Sequence, residues 1–237
     1  LHFTSAEPYR RRVIQLGESP DRVFNVGALG VENIKHVPLL SKEELEKSLN
    51  FQLGDKSLLV TFHPVTLENS TAEQQCMNLL ESLESFPDYR IIFTFPNSDT
   101  DGRIIIDLIK RFVERHRSES VAFVSLGKVR YLSTLQYVSA VVGNSSSGII
   151  EVPSFGIPTL NIGDRQKGRI SSRSVVHCGT SKEDICLGIQ TVLSDPVVRI
   201  AKQKRNPYDK EGTADAICTI LKAVSLDGLT SKSFYDL

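Results

Sequence analysis

Val141-Val142-Gly143-Asn144-Ser145-Ser146-Ser147-Gly148-Ile149-Ile150-Glu151 decides how the rest of the chain is read. Two β-branched residues run into a Gly-Asn turn, and three hydroxyls and a glycine follow. An apolar pair and a carboxylate close the stretch. The pattern predicts a strand, a tight loop of small residues, and the first turn of a helix. Such a loop presents backbone N–H groups and hydroxyls to an anion, as the start of a helix does. Glu151 lies one helical turn further on, where a carboxylate can accept hydrogen bonds from a pair of hydroxyls. The bland alternative is a tight strand–helix turn with Ser145 as its N-cap.

The same strand-then-helix alternation runs outward in both directions. Ser57 to Phe62 is nearly all apolar and predicts a buried strand, ending at His63-Pro64. Ala72 to Ser85 follows with Leu79, Leu80 and Leu83 at helical spacing. Tyr89 to Phe95 reads as a strand, Gly102 to Arg117 as an amphipathic helix, Ser120 to Ser125 as a strand and Lys128 to Ser139 as a helix. Beyond the opening stretch, Pro158 to Ile162 and Val175 to His177 read as strands, and Ser181 caps a helix running to Leu193. Upstream, residues 1–22 read as a helix and a turn, and Arg22 to Gly27 as a short strand. A polar helix carries a capping box at Ser41 and Glu44. Gly212 to Val224 reads as a final helix, with a polar tail after it. This order predicts an α/β fold: a doubly wound, Rossmann-like parallel sheet of roughly seven strands.

Ligands of such sheets bind beyond the carboxyl ends of the strands. The loops there are Gly27-Ala28, His63-Pro64, Pro96-Asn97, Ser125-Leu126-Gly127, Asn144 to Gly148 and Gly163-Asp164-Arg165. A lone histidine is more often structural than functional, but His63 follows an apolar strand and precedes a proline, which places it at this edge. His2, His36, His116 and His177 have no such setting and read as surface or packing residues. Arg165 lies in the basic loop Gly163 to Arg169. It is either a solvated loop charge or a phosphate contact, and the loop's composition suits the second. Asp99 and Asp101 read as turn caps.

Composition narrows the class. The 237 residues are 40% hydrophobic and 24% charged, as in an ordinary soluble domain, and the formal net charge is +0, which gives a nucleic-acid partner no electrostatic support. No apolar run approaches the roughly 20 residues of a membrane span. The four cysteines stand at no metal-ligand spacing and read as reduced, buried thiols of a cytoplasmic protein. No signal-peptide pattern stands at the start. The chain opens on Leu1-His2-Phe3 and its one methionine is Met77, so it is expected to be a fragment without its natural N-terminus.

Several of these segments together resemble the hydrolysing UDP-N-acetylglucosamine 2-epimerases. They are Gly143 to Glu151, Phe155-Gly156-Ile157-Pro158, Asn161-Ile162-Gly163, Arg165-Gln166, Thr61-Phe62-His63-Pro64-Val65-Thr66 and Phe24-Asn25-Val26-Gly27. Pro96-Asn97 and Asn206-Pro207-Tyr208 fit too. The branch resembled is that of the sialic-acid pathway, which releases N-acetylmannosamine and UDP. The resemblance implies the C-terminal half of a glycosyltransferase-B-type fold of two Rossmann-like domains. Residues 1–22 would be the last helix of a largely absent N-terminal domain, 23–205 the UDP-binding domain, and 206–237 a helix and tail returning toward the N-terminal domain. Ser145 and Ser146 would contact the diphosphate, Glu151 the ribose hydroxyls, Leu126 the uracil through its backbone, and Arg165 the nucleotide or phosphates. His63 would face the diphosphate and sugar and stabilise departing UDP. The resemblance implies UDP-N-acetylglucosamine as substrate, no metal or other cofactor, and a homo-oligomer, dimer or tetramer, at full length. In relatives the proton-moving carboxylates belong mainly to the N-terminal domain, so the fragment alone is expected to be inactive. Two alternatives share the same loop: a glycosyltransferase with a UDP-sugar donor, and a non-catalytic nucleotide-sugar-binding module, for which Pro96 to Asp99 would be an effector contact.

Overall fold

The computed structural model describes residues 1–65, 71–96, 100–225 and 233–236. Thr66, Asn97, Ser98 and Asp99, and the side chain of Asp101, lie outside the described residues, and with them the turn-cap and effector readings. The chain forms two compact units, Leu1–Val37 with Asn206–Leu237, and Pro38–Arg205.

The first unit holds β1 (His2–Thr4), α1 (Glu7–Gln15), β2 (Val23–Asn25) and α2 (Leu29–His36). β1 and β2 pair in parallel, with Phe3 opposite Phe24. Arg10 fixes the return of the chain, its Nε donating to the Val23 carbonyl at 2.8 Å. The two compact units divide in the chain at Val37/Pro38 and at Arg205/Asn206. The strand expected at residues 22–27 is not a member of the large sheet, because its hydrogen bonds go to β1.

In the second unit, α3 (Lys42–Leu49) starts at a complete capping box between Ser41 and Glu44. After it come β3 (Ser57–Thr61), α4 (Ala72–Leu83), β4 (Arg90–Thr94), α5 (Thr100–Arg115), β5 (Ser120–Phe123), α6 (Gly127–Thr134), β6 (Ala140–Gly143), α7 (Ser146–Ile150), β7 (Thr159–Ile162), β8 (Val175–Cys178), α8 (Lys182–Val192) and α9 (Asp195–Ala201). α10 (Thr213–Ala223) belongs to the first unit. Six strands form one parallel sheet in the order β5-β4-β3-β6-β7-β8. Side chains alternate between its faces. Leu58, Val60, Phe93 and Val142 share one buried cluster with Leu79 of α4, Ile105 and Ile109 of α5 and Ile189 of α8. Leu59, Ile92 and Val141 point the other way and are buried as well. A sheet covered on both faces has apolar strands throughout, which is why these strands were readable as continuous apolar runs.

α6 ends at Thr134, earlier than the expected Ser139, although Leu135 and Val138 remain buried. α9 was not foreseen. No helix among the described residues is long and apolar enough to cross a membrane.

The strand order places the site. From β3 the chain steps outward to β4 and β5, and from β6 it steps the other way to β7 and β8. The crevice at the carboxyl ends of β3 and β6 is the topological switch point, where open α/β sheets bind ligands. His63 lies two residues past β3 and Asn144 directly past β6.

Candidate functional site

Gly143 ends β6 with φ at 138°, a conformation that side chains other than glycine rarely adopt. Its backbone lies so close to β3 that a Cβ built there would stand 1.9 Å from the Thr61 carbonyl oxygen. The close approach lets the Asn144 N–H donate to that same oxygen at 3.1 Å. The Asn144 side chain then reaches across the switch point. Its Oδ1 accepts from the His63 N–H at 2.7 Å, and its Nδ2 donates to the His63 carbonyl at 2.8 Å. A flipped amide would set donor against donor and acceptor against acceptor, so these two bonds fix its orientation. The Asn144 carbonyl accepts twice, from Arg165 Nη1 at 3.0 Å and from Gln166 Nε2 at 2.9 Å. Asn144 is 1% exposed, and one buried residue thus binds the loop after β3 to the loop after β7.

The hydroxyls follow directly. Ser145 is the N-cap of α7, and its Oγ accepts from the Ser147 N–H at 3.4 Å. The bland alternative is thus present as geometry, and a capping bond of that length still leaves lone pairs on the hydroxyl. Ser145 and Ser146 are both half-buried. Ser147 Oγ accepts from the Tyr131 hydroxyl at 2.6 Å. Burial, above all, pushes the Tyr131 phenol far above its ordinary range, with the nearby Glu151 charge adding to it, so Tyr131 stays a donor. This bond ties α7 to α6. Leu126 caps the start of α6 and is buried, and its carbonyl accepts from Arg130 Nε at 2.9 Å. Glu151 closes α7, its N–H donating to the Ser147 carbonyl at 2.9 Å. A short 3-10 turn, Val152–Phe155, returns the chain to β7 and keeps Glu151 near the sheet edge. The Glu151 carboxylate is half-buried, with no hydrogen bond or ion pair among the described residues.

The loop after β7 carries the cations. Partial burial, and next the neighbouring Arg169, lower the pKa of the Arg165 guanidinium, which nevertheless keeps its charge at neutral pH. Lys167 pairs with Asp164 at 2.6 Å, which largely offsets its charge, whereas Arg169 adds to the positive charge beside Arg165.

The His63 backbone and the Arg165 guanidinium are therefore both bonded to Asn144, which Ser145 and Ser146 follow in the chain, and the Tyr131–Ser147 bond ties α6, capped by Leu126, to α7, closed by Glu151. Sequence reading placed Asn144 in the motif but gave it no role beyond the turn. It quoted Gln166 beside Arg165 without giving it a role, and it missed Tyr131 altogether. Tyr131 sits in an ordinary-looking helix, and nothing in the local pattern marks it. Of the other histidines, His2 meets Glu18 at 3.0 Å, His116 stacks on Phe112, and His177 approaches Asn161 at 3.2 Å. Among the described residues, no group of three or more His, Cys, Asp or Glu is placed to hold a metal ion.

Set beside known proteins, residues 1–222 match the model of the UDP-N-acetylglucosamine 2-epimerase family. The chain belongs to that family. It is 37% identical over 238 residues to the GDP/UDP-N,N'-diacetylbacillosamine 2-epimerase (hydrolyzing) of Campylobacter jejuni, a match covering 100% of this chain and 62% of that protein. It is 37% identical over 239 residues to polysialic acid biosynthesis protein P7 of Escherichia coli, covering 100% of this chain and 60% of that one. This family member thus spans about three-fifths of the length of these curated relatives. Among solved structures, the S. aureus MnaA–UDP co-structure superposes with a TM-score of 0.75 at 14% identity, covering 100% of this chain and 64% of that one. The UDP-GlcNAc 2-epimerase of Neisseria meningitidis bound to UDP-GlcNAc gives 0.64 at 14% identity, covering 94% and 60%. At such identities the likeness is one of fold, and it supports the Rossmann-like, glycosyltransferase-B-type reading of the sheet.

Proposed function

We propose that this epimerase-family chain is the UDP-binding portion of a hydrolysing UDP-N-acetylglucosamine 2-epimerase that releases N-acetylmannosamine and UDP. The observation that carries the reading is the Asn144 clamp, which brings His63 and Arg165 to one point at the switch point of the sheet. On this reading Glu151 accepts from the two ribose hydroxyls, Leu126 meets uracil with its backbone, and Ser145 and Ser146 meet the diphosphate. Arg165 supplies positive charge beside the phosphates, and His63 donates to the diphosphate as it departs.

The reaction removes the C2 proton of the sugar and breaks the C1–O bond, and UDP leaves with the electron pair. A glycal remains. Water then adds its hydroxyl at C1, and a proton returns to C2 on the opposite face. The groups of this chain serve the departure of UDP, because they offer donors and cations to a growing negative charge. The proton-moving carboxylates come from the N-terminal part of the full-length protein, which acts in the cytoplasm as a homo-oligomer without a cofactor.

The 37% identity to the C. jejuni diacetylbacillosamine 2-epimerase supports a second reading of the sugar, a diacetamido hexose in place of N-acetylglucosamine. Both UDP-sugars are therefore assayed with the full-length protein. Free 2-epimerised sugar and UDP are expected in equal amounts, with solvent deuterium at C2, and the 237 residues alone should give no turnover. Transfer of the sugar to an acceptor with C2 unchanged, or UDP binding without product, would overturn the epimerase reading. Comparable turnover by the 237-residue chain would overturn the division of labour.

A further inference from the structure

We infer that Asn144 is a positioning residue that sets His63 and Arg165 as one unit on the departing diphosphate. The inference rests on the reading of His63 given above. The parallel ladder between β3 and β6 ends at Thr61 opposite Gly143. His63 lies two residues beyond that last pair, outside the ladder's register. The Asn144 side chain supplies a rung there, engaging both the N–H and the carbonyl of His63 at 2.7 and 2.8 Å. Only a side chain with an acceptor and a donor on adjacent atoms closes both bonds. An ionised aspartate has the same shape but sets a second acceptor against the His63 carbonyl.

The Asn144 backbone carries the other half of the device. Its carbonyl holds both Arg165 and Gln166, and the Gln166 side chain is buried. A shift of Asn144 therefore moves the histidine and the arginine together. A displacement of about 1 Å at a reacting group costs on the order of 100-fold in rate, so the clamp acts on turnover more than on nucleotide affinity.

A double-mutant cycle in the full-length protein tests this, reading kcat, KM and UDP affinity for wild type, Asn144→Asp, His63→Ala and the pair. Asn144→Asp is expected to lower kcat about 10- to 100-fold while UDP affinity changes by less than about threefold. In the His63→Ala background the same change should cost clearly less, at most a fewfold, because only the arginine half of the unit is left to displace. If Asn144→Asp does not fold, as read by circular dichroism, Asn144→Ser takes its place in the cycle, because it keeps the backbone bonds and cannot close both side-chain bonds. Equal losses in both backgrounds would overturn the coupling alone. An unchanged kcat in His63→Ala would overturn the reading of His63 and the coupling with it.

Discussion

Replacing His63 by alanine is expected to lower kcat of the full-length protein by about 10²–10³-fold, the usual cost of removing one preorganised donor from a developing anion. The reason is where His63 stands. It follows β3 at the switch point, and its backbone is held at both polar groups by a buried amide. The clamp fixes the backbone from which the imidazole projects, and on the proposed reading that imidazole donates to the diphosphate as the C1–O bond breaks. Negative charge on the diphosphate grows during that step, so the interaction is stronger in the transition state than in the bound substrate. UDP affinity, resting on Glu151, the serine loop and Arg165, should fall by less than about threefold. Steady-state kinetics with calorimetric UDP titration separates the two quantities. An unchanged kcat with a raised KM would assign His63 to ground-state binding instead.

Gly143→Ala should destabilise the second unit by about 3–5 kcal/mol, because left-of-normal backbone strain and overpacking add at one position. The φ of 138° is unfavourable for alanine, and the new Cβ would meet the Thr61 carbonyl oxygen at 1.9 Å. That oxygen belongs to the central strand and already accepts the Asn144 N–H. It has no flexible side chain to swing away. Against a total stability of roughly 5–15 kcal/mol for a typical domain, such a loss is large. Gly127→Ala is the control. Gly127 also has a positive φ, 64°, but a Cβ there meets nothing within 4 Å, so only the conformational cost of about 1–2 kcal/mol is expected. Urea denaturation of the two variants reads the difference. Equal losses would mean that the close approach of β6 to β3 is not what demands glycine.

The sheet was legible because its strands are buried on both faces. Ser57–Thr61 and Ala140–Gly143 contain little but apolar or small residues, and each is followed by a turn signal. The capping box at Ser41 is a local device, and local devices can be read from spacing. Partner choice is not local. Val23-Phe24-Asn25 has the composition of a sheet strand, yet it pairs with His2–Thr4, a three-residue strand too short to leave a periodic trace. The site shows the same division. His63, Ser145 and Arg165 were readable as polar residues of the loops that follow strands. The bond from Asn144 to His63 spans 81 positions, and that from Tyr131 to Ser147 joins two separate helices. Neither has a spacing rule, because tertiary packing alone brings those atoms together.

The most direct test of the UDP site is calorimetric titration of UDP into the 237-residue chain and its Glu151→Ala variant. Saturable binding of one UDP per chain is expected, weaker by about 10- to 100-fold in the variant, since each hydrogen bond to a charged group contributes about 1.5–3 kcal/mol. Binding that is identical in the two proteins, or the absence of saturable binding to the wild-type chain, would contradict the placement of the nucleotide on this loop.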